Sequence, residues 1–153
     1  MTVNIRRAQS NDLSALVALE NASFNYDQIG LRSFMHLLKQ KSSLLWCAEI
    51  NSEIIGYAII LTRKNSRKWR IYSIAIAPHA RGKGIGKALM LAVMENAKAA
   101  AASALSLEVK CDNKGAIELY RQLGFEVIDV LPAYYSDGTD GYRLQMTLES
   151  CPQ

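Results

Sequence analysis

The sequence is poor in the residues that staple or ligate. Its three cysteines, Cys47, Cys111 and Cys151, are an odd number and form no C-x-x-C pair. That argues against a disulfide framework and against a structural zinc site. The two histidines, His36 and His79, have no ligand-like spacing, so no metal is expected. No apolar run approaches the roughly 18–20 residues that cross a bilayer. The opening Thr2-Val3-Asn4-Ile5-Arg6-Arg7 alternates like a strand and lacks the apolar core of a signal peptide. A cytoplasmic protein with reduced thiols and no membrane partner is expected. A strong charge of one sign is missing too, because 18 Lys and Arg against 14 Asp and Glu leave only +4. That balance suits an anionic ligand or an acidic partner, and is too slight to indicate a specific nucleic acid.

What is present fits one globular domain. Half of the 153 residues are hydrophobic and no composition shift, repeat or low-complexity tract divides them. A chain of this length buries roughly 68–70% of its unfolded surface, enough for a core without cross-links. A single domain over 1–150 with a short tail at 151–153 is expected.

Hydrophobic periodicity orders the elements. Val3 to Arg7 alternates as a strand. Ser10, Asn11 or Asp12 offers an N-cap for a helix carrying Leu13, Leu16, Val17 and Leu19. A second helix follows Gly30, and Phe24-Asn25-Tyr26-Asp27 connects the two. Strands are expected over Leu44–Ile50, Ile54–Thr62 and Trp69–Ala77, the first two joined at Asn51-Ser52-Glu53 and the last preceded by a basic turn, Arg63 to Lys68. Then come a helix through Leu89, Val93, Met94 and Ala97, a strand over Ala104–Lys110, and a helix over Asn113–Leu123 that Gly124 ends. Phe125–Leu131 and Gly141–Leu148 are the last strands. The order β-α-α-β-β-β-α-β-α-β-β indicates an α/β (α+β) domain. Its sheet should be mixed and largely antiparallel, of about seven strands, with a parallel crossover over 69–110.

The segment Pro78-His79-Ala80-Arg81-Gly82-Lys83-Gly84-Ile85-Gly86-Lys87 lies between a strand and a helix. Glycines allow close backbone approach to a ligand, and a helix start offers free N–H groups and the positive end of a dipole. Arg81, Lys83 and Lys87 add charge, so a phosphate or pyrophosphate is the natural occupant. A Walker A loop fails on spacing, with three residues between Gly82 and Gly86 and Ala88 after Lys87. A dinucleotide fingerprint fails as well, because the glycines read G-x-G-x-G. A tight turn without a ligand remains an alternative on the glycines alone.

The pattern P-x-x-R-x-x-G-x-G closely resembles the acetyl-CoA pyrophosphate loop of the GNAT acetyltransferase superfamily. Further on, Asn113, Ala116, Ile117, Leu119, Tyr120, Leu123, Gly124 and Phe125 spell N-x-x-A-I-x-L-Y-x-x-L-G-F. This resembles the second signature of the same superfamily. The opening Ile5-Arg6-Arg7-Ala8, the stretch Glu20-Asn21-Ala22-Ser23-Phe24, and Tyr134-Tyr135-Ser136-Asp137-Gly138 with Asp140 and Tyr142 resemble the ribosomal-protein alanine N-acetyltransferases.

The resemblance implies a single GNAT-like domain with acetyl-CoA as co-substrate and roles for particular residues. The backbone of Ile74, Ala75 and Ile76 would hold the pantetheine arm. Arg81, Gly82, Lys83, Gly84, Ile85, Gly86 and Lys87 would hold the pyrophosphate, and Asn113 and Tyr120 would also touch the cofactor. Glu108 would accept the proton of the attacking amine and Tyr120 would protonate the departing thiolate. On residues alone, Glu108 faces away from Leu105, Leu107 and Val109 and could be a surface carboxylate on an edge strand. Tyr120 shares a helical stripe with Ala116, Leu119 and Leu123 that would equally serve core packing, and Asn113 is a good N-cap.

Phe24, Tyr26, Tyr134 and Tyr135 are the candidate walls of the acceptor site, since tyrosine gives rigid area and a hydroxyl for a peptide backbone. The expected acceptor is the α-amine of a protein or peptide, more narrowly of a ribosomal protein. A small-molecule amine or a lysine side chain is the alternative, and a non-catalytic acyl-CoA sensor the third reading. The basic stretch Arg63, Lys64, Arg67, Lys68 and Arg70 reads as a solvated turn, with ribosomal RNA or an acidic protein as conceivable partners. Monomer and homodimer both stay open.

Overall fold

The computed structural model describes residues 2–23 and 29–148. Phe24, Tyr26 and the tail at 151–153 lie outside the described residues. Seven strands form one sheet: β1 (Asn4–Arg7), β2 (Ser43–Ile50), β3 (Glu53–Arg63), β4 (Ser66–Ile76), β5 (Ala104–Lys110), β6 (Glu126–Leu131) and β7 (Gly141–Thr147). Their spatial order is β1-β2-β3-β4-β5-β7-β6. The helices are α1 (Leu13–Ser23), α2 (Leu31–Lys39), α3 (Ile85–Ala99) and α4 (Lys114–Leu123). The element order is the expected one, and β4 and β5 run parallel with α3 between them in the chain.

Strand β3 shows how the layers form. Ile55 through Ile60 are buried without a break, so both faces of the sheet are covered here. Tyr57 meets the Phe34 ring of α2 edge-on at 5.7 Å and bonds Glu20 of α1. Its neighbour Gly56 faces Leu89 of α3. Adjacent strand residues point to opposite faces, which puts α1 and α2 on one side of the sheet and α3 on the other. The β2–β3 connection turns through Asn51 and Ser52, both at positive φ, as a two-residue hairpin does.

The sequence-based start of β4 is corrected. The strand begins at Ser66, because Lys68 to Ile71 pair with Ala104 to Leu107 of β5. Ladder formation there overrides a composition that looks like a loop. The strand carrying Glu108 is interior as well, flanked by β4 and β7, while β1 and β6 form the edges. The outer strand β6 leaves Val127, Ile128 and Val130 exposed.

The functional geometry is set by one irregularity. Ile59 pairs with Ser73 while Ile60 pairs with Ile71, so Tyr72 is an extra residue bulged out of the β3–β4 ladder. The β4–β5 pairing ends at Ile71 and Leu107, one residue before that bulge. Beyond it β4 stays with β3 and β5 with β7. The sheet therefore parts between its two parallel strands.

Gly56 stands close to this parting in packing terms. A Cβ there would lie 2.8 Å from Ile76 Cδ1, 3.2 Å from Leu89 Cδ1 and 3.2 Å from the Ala75 carbonyl oxygen. Gly56→Ala is expected to lower stability by about 1–3 kcal/mol through overpacking. Thermal melting checks this; an unchanged midpoint would mean that Ile76 and Leu89 yield freely.

Candidate active site

The parting of β4 and β5 opens a cleft of about 500 Å³. Ile71 to Ile74 line one wall and Leu107 to Lys110 the other, with Asn113 and Tyr120 beside them. Tyr134 and Tyr135 reach in from the β6–β7 connection, and Glu20 and Ile29 approach from the α1–α2 side. Of the residues expected from sequence, Ile74, Glu108, Asn113, Tyr120, Tyr134 and Tyr135 thus meet in one space. Ala75, Ile76 and the glycine-rich turn do not line it; they continue from its β4 wall.

Glu108 is held by two arginines. Its Oε1 accepts from Arg70 Nε at 2.7 Å and lies 2.5 Å from Arg70 Nη2. Its Oε2 accepts from Arg143 Nε at 3.3 Å. Arg143 is its cross-strand partner on β7. The carboxylate side chain is only 7% exposed, a position too costly for an unpaired charge. Oε2, which accepts from Arg143 alone among the described residues, keeps a lone pair for a further donor. Arg70 Nη2 also lies 3.4 Å from the Tyr134 hydroxyl, and its guanidinium sits 5.4 Å from the Tyr72 ring centroid. One arginine thereby ties the cleft wall to the bulge and to the aromatic loop.

Tyr120 is fixed by local sequence. The Asn113 side chain caps α4 by accepting from the Ala116 N–H at 3.3 Å, and Gly124 ends the helix at φ 111°. The Tyr120 ring packs edge-on against Phe125 at 5.9 Å. Burial pushes its phenol up to about 12, so the hydroxyl keeps its proton across the physiological range. Core packing and a place in the cleft are both realised by this one side chain.

The glycine-rich turn has the features of an anion cradle. Gly82 and Gly84 both have φ 79°, and Gly84 is the residue before α3 with no side chain capping the helix. The first N–H groups of α3 are open, since the first helical bond here runs from Ala88 N to Gly84 O. Arg81 Nε donates to the Ile76 carbonyl at 3.2 Å, anchoring the turn to the end of β4. Gly86 has Ile76 and Leu119 at ordinary contact distance from where a Cβ would stand, so the turn lies between the ends of β4 and α4.

The Tyr134–Tyr135 pair is held edge-to-face at 5.1 Å. Below it Lys110 Nζ bonds Asp137 at 2.6 Å and lies 5.6 Å from the Tyr135 ring centroid. Lys110, with the Thr139 N–H second, holds the Asp137 carboxyl well below the usual range. Asp140 accepts from the Ala133 N–H at 2.8 Å, which closes the loop at its base. Among the described residues no group of His, Cys, Asp and Glu is placed to hold a metal ion.

Three residues of the site escape sequence reasoning. Arg70 reads as part of a solvated basic turn, and Arg143 as one position of an alternating strand; only the pairing register brings both to Glu108. Glu20 had a signal, because it shares the helical stripe of Leu13, Leu16 and Val17 although it is acidic. It is 2% exposed, its Oε2 accepts from the Ile29 N–H at 3.0 Å, and its Oε1 accepts from the Tyr57 hydroxyl. That hydroxyl lies 3.3 Å from Ser73 Oγ on the cleft wall.

Burial raises the Glu20 carboxyl above the ordinary glutamate range, with the Ile29 N–H opposing part of the effect. Folding therefore favours the protonated form. This contribution is complete below the ordinary glutamate value and is lost as pH rises through the raised one. Glu20→Gln has no such titration. The melting temperature of the native chain relative to Glu20→Gln should fall by a few degrees between about pH 4 and pH 8. A difference that stays constant with pH would show that Glu20 does not titrate in the fold.

Comparison with known proteins bears on the chemistry. The model of the Acetyltransferase (GNAT) family matches residues 13–125. An N-alpha-acetyltransferase of Sulfurisphaera tokodaii is 31% identical over 94% of this chain and 92% of that protein. The N-terminal acetyltransferase A complex catalytic subunit NAA10 of Arabidopsis thaliana is 30% identical over 96% of this chain and 79% of its own length. Among solved structures, the ribosomal-protein-S18-alanine N-acetyltransferase from Escherichia coli matches with a TM-score of 0.90. It covers 99% of this chain and 97% of that one at 22% identity, a likeness of fold. With its split sheet, family match and relatives, this chain belongs to the GNAT acetyltransferase family and is an N-acetyltransferase.

Proposed function

We propose that the chain transfers an acetyl group from acetyl-CoA to the α-amine of a protein N-terminus, with Glu108 as proton acceptor and Tyr120 as donor to the departing sulfur. The observation that carries this reading is the cleft itself, where Glu108 and Tyr120 face one space at the point where the sheet parts. The choice of an α-amine rests on relatives named for that activity, aligned over nearly the whole chain. A ribosomal protein is the narrower version of the same acceptor.

The GNAT fold uses acetyl-CoA, which supplies the activated thioester. The open N–H groups of α3 and the left-handed Gly82 and Gly84 suit its pyrophosphate. Arg81, Lys83 and Lys87 add charge, and the backbone of Ile74, Ala75 and Ile76, a segment that β5 does not pair, would hold the pantetheine amides. The Ile76 carbonyl already accepts from Arg81 and keeps a second lone pair.

An amine attacks only as its free base. Glu108 Oε2, with its spare lone pair, would take that proton directly or through one water. Arg70 and Arg143 fix the direction of the carboxylate. As the carbon–sulfur bond breaks, charge grows on sulfur and Tyr120 donates to it. A phenol near 12 does not readily give up its proton to a thiolate, since thiols are the stronger acids (a cysteine side chain has a pKa of about 8.5). The hydrogen bond to the developing charge is therefore its main contribution. Tyr134 and Tyr135 would flank the peptide.

Glu108→Gln and Tyr120→Phe should each lower kcat by about 10²–10⁴ while acetyl-CoA affinity stays within twofold. Unaltered kcat in either variant removes that residue from the chemistry. Gly84→Val should weaken acetyl-CoA binding at least tenfold in calorimetry. The fold should lose only the left-handed strain of about 1–2 kcal/mol, because a Cβ there meets nothing within 4 Å. Normal affinity would sink the pyrophosphate assignment. The acceptor is tested by thiol release with free α-amine peptides against N-blocked lysine peptides and polyamines. Release with lysine peptides or polyamines alone would replace the α-amine reading.

A further inference from the structure

A second groove, of about 700 Å³, runs from the cleft along α2. Ile29 and Tyr72 line both, so the two spaces adjoin at the bulge. Beyond that junction Arg32, Ser33 and His36 come from α2, Gln40 is the residue that follows its end, and Leu61 comes from β3. The three helical residues fall on one face of α2.

Among the described residues, the lining of this groove beyond the cleft holds Arg32 and no carboxylate. No acidic residue occurs from 29 to 48 or from 54 to 94, although the second stretch holds eight Lys and Arg. Arg63, at the end of β3, stands two residues beyond Leu61, and Lys64, Arg67 and Lys68 follow in the hairpin.

Arg32 is poorly explained by stability. It is exposed, makes no ion pair among the described residues, and is the second residue of α2. The positive end of the helix dipole disfavours a cation there, and the first turn carries no acidic residue. A cation kept where the helix would prefer an anion suits a ligand that brings the anion.

We propose that this groove receives the residues following the acetylated N-terminus and selects acceptors that carry acidic side chains at those positions. The inference rests on the α-amine reading and adds the chemical class of the acceptor. A polypeptide is the occupant because the groove opens into the acetyl-transfer cleft, where the chain must present its amine. Single-stranded RNA would also answer the charge, but it is bound by stacking on exposed aromatics. Trp69, the aromatic within the basic stretch, packs against the core, which leaves Tyr72, half exposed with Arg70 over its ring, as the one aromatic among the described residues lining the groove and no run of rings for successive bases.

The test uses the full chain and octapeptides with free α-amines, alike in their first two residues and carrying Glu, Gln or Lys at the next four. KM should be lowest for the Glu peptide, about three- to tenfold below Gln, and highest for Lys, with kcat alike for all three. The spread should shrink at about 0.5 M salt. Arg32→Glu, a surface change that suits the helix dipole, should invert the KM order of the Glu and Lys peptides. Equal KM values in the native chain would overturn this inference and leave α-amine acetylation standing. Acetylation of a polyamine with none of the three peptides acetylated would overturn both. If Arg32→Glu abolished binding of a single-stranded RNA and left the peptide KM values untouched, the groove would be a nucleic-acid surface and the inference would fall.

Discussion

The parting of β4 from β5 is the constraint on which the rest depends. Two parallel strands pair for four residues, from Lys68 with Ala104 to Ile71 with Leu107, and then separate. An extra residue at Tyr72 accounts for the separation, because a bulge bends and twists its strand. Backbone groups past the bulge lose their ladder partners on the parted side. Such groups are open to a hydrogen-bonding partner in the cleft. Each other feature of the site is placed relative to it, with Glu108 just past the last pair on β5 and Tyr120 on the helix that follows.

The electrostatics of the cleft are a second consequence of sheet geometry. Glu108 is nearly buried, and a lone carboxylate there would cost several kcal/mol. Arg143 reaches it because the antiparallel register sets the two directly opposite. Arg70 reaches it across the parallel pair, from the strand position opposite Ser106. Both oxygens of the side chain thereby have a guanidinium partner that aims them. Glu20 meets a different environment, with a backbone N–H and a phenol as its partners and no cation among the described residues.

Most of the element order was legible in the sequence because the periodicities are clean. The alternation in β5 and the stripe of α4 leave little choice. The two motifs, Arg81 to Gly86 and Asn113 to Phe125, carried the family resemblance and located the turn and the helix that frame the cleft. What stayed hidden is what depends on pairing. A bulge at Tyr72 has no local signature, and the run Ser66-Arg67-Lys68 looks like a loop until β5 supplies its ladder partners. The partners of Glu108 were invisible for the same reason, since register, not spacing, makes them neighbours. Tyr134 and Tyr135, singled out by their motif, line the cleft, while Phe24 and Tyr26 lie outside the described residues.

Gly56 bears on how variants of this protein are to be interpreted. It carries no functional group and lies in the middle of β3, yet the space it leaves is shared by Ile76 at the end of β4 and Leu89 of α3. Those two elements flank the glycine-rich turn. A side chain at position 56 would push them apart and disturb the turn from behind, through packing alone. A survey of variants scored by activity would then class Gly56 with the ligand-binding residues. Only a measurement that separates fold from binding would reveal that its contribution is the absence of a methyl group.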